Sequence, residues 1–469
     1  MDFIFIPFLG FGLFCLAKKL AQVTKMEPIV IYILVGILLG LLLNISGLGN
    51  ITKLFPHISM YNSIALLFMF FVSGFNINIA RLKKSGKITA KLLCIPAYVE
   101  TFFISIAIYF ILKLIPIAGI NLSYVESLII AAIFSVSSPA NTLPVCADLI
   151  RTGYTDKNNM PSTMIVVSII DGFITVPIVF VSIFIILTQN RGMPITASNI
   201  FNIIGLILLG IVASILVGVI FGRLELLIAK SIFKKLSGHN QSMAANYFVI
   251  VIAFVLALIF ALILHSVDVL SKVITIFGIL IMCGIGLSIN NYDKTGTNVI
   301  IRRYGNRIFS CLGTPIIFMY VGAIIDIYTL LNPFLLIALF AITILAFTIK
   351  GKTAKVILRG NEFTDGERKF VSDCFIPKGV TLINFSIIFG TLLVDNPELL
   401  EFMRMLAAVS IIFTMGLGMA SLHKVKDNLL FKNVKEISEP TSKEEPKEVP
   451  KETPSIAPTV IPKGVLEKD

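Results

Sequence analysis

Long apolar runs alternate with short clusters of charge, proline, glycine and asparagine along almost the whole chain. A helix needs about 20 apolar residues to cross a hydrocarbon core of roughly 30 Å, so the runs read as membrane spans. They predict thirteen, near 3–22, 28–44, 60–79, 92–115, 124–149, 162–187, 199–221, 245–264, 269–290, 308–330, 333–357, 373–394 and 402–422. The first run, Phe3–Leu16, is followed rather than preceded by its lysines, Lys18 and Lys19, which is the order of a first span and not of a cleaved signal. The predicted fold class is all-α, a polytopic membrane protein.

The polar positions between the runs test this scheme. The loops after spans one, three, five, seven, nine and eleven hold 23 Lys and Arg, whereas the opposite loops hold only Lys53, Lys113, Arg191, Lys272 and Arg404. Basic residues collect in cytoplasmic loops, so the asymmetry predicts a multi-pass protein of the plasma membrane with the N-terminus outside and the C-terminus inside. From Lys424 the chain turns to Lys, Glu, Pro and Ser, as in EEPKEVPKETPS. Such a segment buries too little apolar surface to offset ordering, so 424–469 is expected to be a disordered cytoplasmic tail behind a transporter domain at 1–423.

Composition narrows the function. At 56% hydrophobic and 14% charged, the chain lacks the polar surface of a soluble protein. The net charge of +12 would suggest nucleic acid in a soluble protein, but here it is the surplus of the inside loops, and no nucleic-acid partner is expected. The six cysteines are scattered, mostly within apolar runs, and the four histidines lie far apart, so neither a disulfide frame nor a resident metal site is supported. No GxxxxGK[ST] loop and no GxGxxG motif offers a nucleotide-driven pump. The chain is not read as an enzyme, and no cofactor is expected.

Two features repeat in opposite directions. Span three carries Phe68-Met69-Phe70-Phe71-Val72-Ser73-Gly74 with Asn78 four positions later, and span ten carries Phe318-Met319-Tyr320-Val321-Gly322 with Asp326 four positions later. Two spans beyond each copy lies a helix break: Ser137-Ser138-Pro139-Ala140-Asn141-Thr142-Leu143-Pro144 in span five and Pro377-Lys378-Gly379 in span twelve. Proline removes a donor and frees backbone groups at membrane depth, which is tolerated only where the backbone lines a cavity or packs on protein. Paired breaks in inverted halves point to a transporter's binding site.

Four ionisable residues remain inside the spans: Glu100, Asp171, Lys350 and Lys378. A charge at the bilayer centre costs at least about 2.5–3.5 kcal/mol, so each requires a partner or a wet cavity. Asp171 falls roughly eleven residues into span six, about 16 Å along a helix and so at the midplane. A carboxylate there can trade a proton for a cation. Lys350 is a candidate ion-pair partner for Asp171. Lys378 sits in the second break, where its ammonium can compensate helix dipole ends, and Glu100 is its candidate partner.

The ordered set resembles the monovalent cation/proton antiporter superfamily, of the sodium/proton exchanger type, along most of residues 28–423. Glu27-Pro28 through Gly36 and Gly40 is similar to the family's entry into its second span, and Gly74–Asn78 and Gly322–Asp326 to its paired glycine segments. Ser137-Ser138-Pro139-Ala140 and Pro377-Lys378-Gly379-Val380 fall where the family has its two breaks. The resemblance implies that Asp171 is the ion-binding aspartate and Lys350 the lysine that follows it in the second repeat. It implies exchange of a monovalent cation (sodium, potassium or lithium) for protons across the lipid bilayer. Ser138, Asn141 and Thr142, with freed carbonyls, would complete the coordination, since hard cations want oxygen ligands. It further implies a homodimer in which core spans 92–187 and 333–422 move against dimerisation spans 3–44 and 199–290. Two departures stand out: Ile170 replaces the Asp or Asn that usually precedes the essential Asp, and Ser138 replaces the Asp of the first break. A symporter or anion carrier of the same inverted-repeat shape, or a non-transporting sensor signalling through the tail, are the competing readings.

Overall fold

With no water in a bilayer to satisfy free backbone groups, apolar runs of this length are driven into helices. The computed structural model describes residues 2–24, 28–47, 51–75, 77, 79, 83, 86–114, 122–151, 158, 160–190, 192, 194, 196–233, 238–266, 269–292, 304–305, 307–325, 332–360, 362–379, 382, 385–386 and 397–433. Apart from a single turn at Ile51–Leu54, the helices are α1 (Asp2–Thr24), α2 (Pro28–Ile45), α3 (Ile58–Phe75), α4 (Gly86–Leu114), α5 (Tyr124–Phe134), α6 (Pro139–Arg151), α7 (Met160–Ile174) and α8 (Val176–Asn190). They continue as α9 (Ala197–Ile232), α10 (Gly238–Ser266), α11 (Val269–Tyr292), α12 (Thr314–Ala323, entered through a π turn at Phe309–Gly313), α13 (Pro333–Ile357), α14 (Asp365–Cys374) and α15 (Pro397–Asn433). No strand occurs among the described residues, and the architecture is that of an all-α, multi-pass membrane protein.

The two glycine segments explain how the halves lock together. Gly74 of α3 meets α11 so closely that a Cβ would lie 2.0 Å from the Cys283 carbonyl oxygen, and Gly286 of α11 answers with 2.1 Å from that of Phe71. Gly322 of α12 and Gly36 of α2 make the same backbone-to-backbone contact, each 2.2 Å from a carbonyl oxygen of the other helix, Ile33 and Met319. An inverted repeat that exchanges α2 with α11 and α3 with α12 turns one pair into the other. Small residues let membrane helices approach to this distance, which is their main route to van der Waals packing in lipid. Asn78 and Asp326, the polar ends of the two segments, lie outside the described residues.

Because the opposing atoms are backbone, the contacts have no side chain to move aside. Gly286→Val and Gly322→Val are therefore expected to destabilise the protein by at least about 1–3 kcal/mol through overpacking, read as a lower unfolding temperature in detergent. Gly12→Val, at a glycine with nothing within 4 Å, is expected to leave it unchanged.

The helices differ from the predicted spans in where several of them break and end. Span five is two helices, α5 and α6, divided as the sequence indicates but at Ser135–Ser138, two residues before the predicted Ser137–Pro144. Span six divides at Thr175, two residues before Pro177: the Ile174 carbonyl accepts from Tyr98 Oη at 3.2 Å, and Thr175 Oγ1 donates to the Ala132 carbonyl of α5 at 2.8 Å. Helix α9 runs to Ile232, so Glu225, read as a loop charge, is buried in a helix. Helix α14 starts at Asp365, eight residues before the predicted span, so Asp373, the first residue of that span, lies near the end of a helix and is buried. At the C-terminus α15 continues ten residues past the expected start of the tail, to Asn433; the rest of the tail lies outside the described residues.

Helix α4 packs on α5, α7 and α13, α7 packs on α6, and α13 packs in turn on α14 and α15; α3, α9 and α11 form the centre of a second group. The two breaks lie inside the first group.

Candidate functional site

Both ends of the first break have a local cause. Helix α5 begins at a capping box, in which Ser123 Oγ accepts from the Glu126 N–H and Glu126 Oε2 accepts from the Ser123 N–H at 2.7 Å. It ends at Phe134, with the Ser135 N–H still donating to the Ala131 carbonyl at 2.9 Å, and Val136–Ser138 are not helical until Pro139 opens α6, a residue suited to a first helical position because its missing donor is not needed there. Helix α14 is started by a matching box at Thr364 and Glu367 and ends at Cys374, before Pro377.

The breaks cross and bond to each other. The Ser138 N–H donates to the Pro377 carbonyl at 3.0 Å, and Thr142 Oγ1 donates to the Cys374 carbonyl at 3.2 Å. Gly379 faces Ser138 so closely that a Cβ there would fall 1.9 Å from Ser138 Oγ, which is why the second break carries a glycine after its lysine. The Lys378 N–H is taken up by Thr414 Oγ1 of α15 at 3.0 Å.

At the crossing all four intramembrane charges meet, each at most 1% exposed. Lys350 Nζ lies 2.7 Å from Asp171 Oδ2 and 3.3 Å from Glu100 Oε2. Lys378 Nζ lies 2.7 Å from Glu100 Oε1. The order Asp171, Lys350, Glu100, Lys378 alternates in sign, so every inner charge has an opposite neighbour on both sides. The C-terminal end of α5 completes the ring of acceptors: Lys378 Nζ donates to the Phe134 carbonyl at 2.9 Å, and Lys350 Nζ donates to the Ser135 carbonyl. A helix C-terminus carries the negative end of its dipole, so two ammonium groups are well placed there. Their other faces rest on aromatic rings, Lys350 over Phe375 at 5.2 Å and Lys378 over Phe134 at 5.1 Å.

Asp171 is left half open. Its Oδ2 accepts from Lys350 and, at 2.8 Å, from the Ser137 N–H, while Oδ1 is buried without a hydrogen-bond partner. The Ser137 hydroxyl is buried and unpartnered as well. These two oxygens, together with Glu100 Oε2 on the far side of Lys350, are buried acceptors at the crossing that make no hydrogen bond.

The expected residues thus gather with one rearrangement. Asp171, Lys350, Glu100 and Lys378 form one cluster. Ser138 and Thr142 turn toward the opposite break instead of toward Asp171, and the side chain of Asn141 lies outside the described residues. The freed carbonyls of Phe134 and Ser135 hold lysines. Ser137, placed in the first break by the sequence but given no role there, is the hydroxyl residue whose N–H bonds to Asp171. Thr414 had no signal at all. Asp373, whose Oδ2 accepts from Ser421 Oγ at 2.6 Å, is a further buried acid just before the second break.

The family described as "Sodium/hydrogen exchanger, transmembrane" matches residues 10–372. No curated protein matches the chain. Two solved structures of the sodium proton antiporter MjNhaP1 from Methanocaldococcus jannaschii share the fold. One, at pH 8, is 19% identical, with a TM-score of 0.60 over 92% of this chain and 99% of that one. The other, from an electron-microscopy map, is 17% identical, with a TM-score of 0.64 over 95% and 99%.

Proposed function

Because the chain belongs to the sodium/hydrogen exchanger family, whose members are membrane cation/proton antiporters, we propose that its exchange cycle turns on Asp171 as the group that carries a proton or a monovalent cation in turn. The observation behind this reading is the half-open carboxylate: one oxygen is held by Lys350 and the Ser137 N–H, the other is buried and free. A cation of the sodium, potassium or lithium class would enter at Oδ1 and the Ser137 hydroxyl, with Lys350 giving way. Lys350 need not lose its proton when it does, because Glu100 already stands 3.3 Å away as a second acceptor. If it stays charged, the proton-loaded and the cation-loaded site carry the same charge, and exchange is one for one and electroneutral. Two copies of the chain in the plasma membrane, with termini placed as the loop charges indicate, complete the proposal.

Everted vesicles containing the full chain test it. Addition of sodium, potassium or lithium is expected to release protons and dequench a pH-reporting dye, with a rate indifferent to clamping of the membrane potential. A response to organic anions in place of cations would favour an anion carrier, and a potential-driven rate would remove the one-for-one stoichiometry.

A further inference from the structure

A second candidate site lies far from Asp171. Between α1 and the π turn that leads into α12 runs a groove of about 530 Å³, lined by Phe11, Phe14, Lys18, Arg307, Ser310 and Cys311. Its deep end is fixed by Gly10, where a Cβ would fall 2.8 Å from Ile316 and 3.4 Å from the Leu312 carbonyl oxygen, so α1 touches α12 there. Lys18 stands eight residues further along α1, about 12 Å nearer the membrane surface at helical rise. Ser310 and Cys311 belong to the π turn at Phe309–Gly313, a local widening of the helix of the kind that often marks a functional position.

The lining is graded. Lys18 and Arg307 are exposed cations at the shallow end, on the side that the loop charges assign to the cytoplasm, and neither makes an ion pair with a described residue. Among the described residues no acid lines the groove. Inward follow the Ser310 hydroxyl and then Phe14 and Phe11, the latter 51% exposed, with ring centroids 6.4 Å apart. Two cations and a hydroxyl at headgroup depth, above an aromatic wall at acyl depth, match one kind of molecule. We propose that this groove binds an anionic phospholipid of the cytoplasmic leaflet, its phosphate between Lys18 and Arg307 and one acyl chain along Phe14 and Phe11. Arginine offers the paired donors a phosphate takes, and basic pockets between helices on this side of a membrane are suited to such headgroups.

Native mass spectrometry of the purified full chain, titrated with phosphatidylglycerol or with phosphatidylcholine, tests the proposal. Wild type is expected to retain phosphatidylglycerol selectively. Each basic residue near an anionic surface contributes about 1 kcal/mol, so Lys18→Gln with Arg307→Gln is expected to weaken retention about 30-fold. Lys18→Arg should retain it. Phe11→Ala with Phe14→Ala should weaken lipid retention without restoring binding of phosphatidylcholine. Unfolding temperatures equal to wild type would separate a lost site from a lost fold; if the charge variant does unfold early, Lys18→Gln alone is read instead. Three results would overturn the proposal. They are undiminished phosphatidylglycerol on a folded charge variant, displacement of the lipid by equimolar inorganic phosphate, and loss of dimer without loss of lipid in that variant, which would make the groove a contact between copies.

Discussion

Asp171→Asn is expected to reduce cation-dependent proton release in everted vesicles to the background of empty membranes. The amide can still accept from the Ser137 N–H and from Lys350, which hold Oδ2 at 2.8 and 2.7 Å, so the geometry of the break survives the change. What it loses is the ability to exist as an anion and as an acid in turn, and without those two states no cation can be exchanged for a proton. The substitution also removes a negative charge from a cluster that sums to zero and leaves Lys350 to share Glu100 with Lys378. Breaking a buried pair by removing one partner costs about 3–5 kcal/mol, so part of any lost activity could be lost protein. The double variant Asp171→Asn with Lys350→Met separates the two effects. It restores neutrality, since Glu100 and Lys378 remain paired at 2.7 Å, and it should recover a near wild-type unfolding temperature while still giving no flux. Wild-type flux from the folded single variant would falsify the role given to Asp171.

The residues of this cluster were legible one by one because each is a charge in an otherwise apolar run, and their cost in lipid forces them to find one another. The pairing was legible only in part. That Glu100 stands between two lysines follows from the way α4, α13 and the second break converge, which no spacing along the chain records. The start of α14 illustrates a different failure. The stretch Asp365–Ser372 is too polar to read as a membrane helix, so hydropathy placed it in a loop and began the span only at Asp373. The signal was present in another form, as Thr364 followed three residues later by Glu367, a capping box that announces a helix whatever its polarity. Ser137 and Thr142 show the remaining limit. Which hydroxyl of a broken helix faces the acid depends on the backbone direction through Ser135–Ser138, and once helical periodicity is interrupted the sequence no longer carries that phase. The glycines were more informative. Gly74 and Gly322 were singled out as matching positions in opposed halves, and the structure gives both the same task of admitting a partner backbone.

Lys378 offers the second large effect, on stability before transport. It is fully buried, and its ammonium is held by Glu100, by the Phe134 carbonyl and by the ring of Phe134. Lys378→Met fills similar space but leaves Glu100 with Lys350 as its one cation and the Phe134 carbonyl without its donor. A loss of about 3–5 kcal/mol is expected, measured as a lower unfolding temperature and a smaller folded fraction in detergent. Pairing it with Glu100→Gln removes both charges together. Well-packed neutral residues often replace a buried ion pair at no cost, so the double variant should regain most of the wild-type unfolding temperature. It should not regain wild-type exchange. With Glu100 gone, Lys350 has Asp171 as its one carboxylate, and a cation arriving at Asp171 must displace an ammonium that has no second acid to receive it. The double variant is therefore expected to be folded yet to need a higher cation concentration for half-maximal proton release. A Lys378→Met variant as stable as wild type would show that the second break holds itself together without the ammonium, through the Ser138–Pro377 backbone bond and the bonds of Thr414 Oγ1 and Thr142 Oγ1 to its backbone. A double variant with wild-type cation dependence would remove Glu100 from the exchange cycle while leaving its place in the folded core.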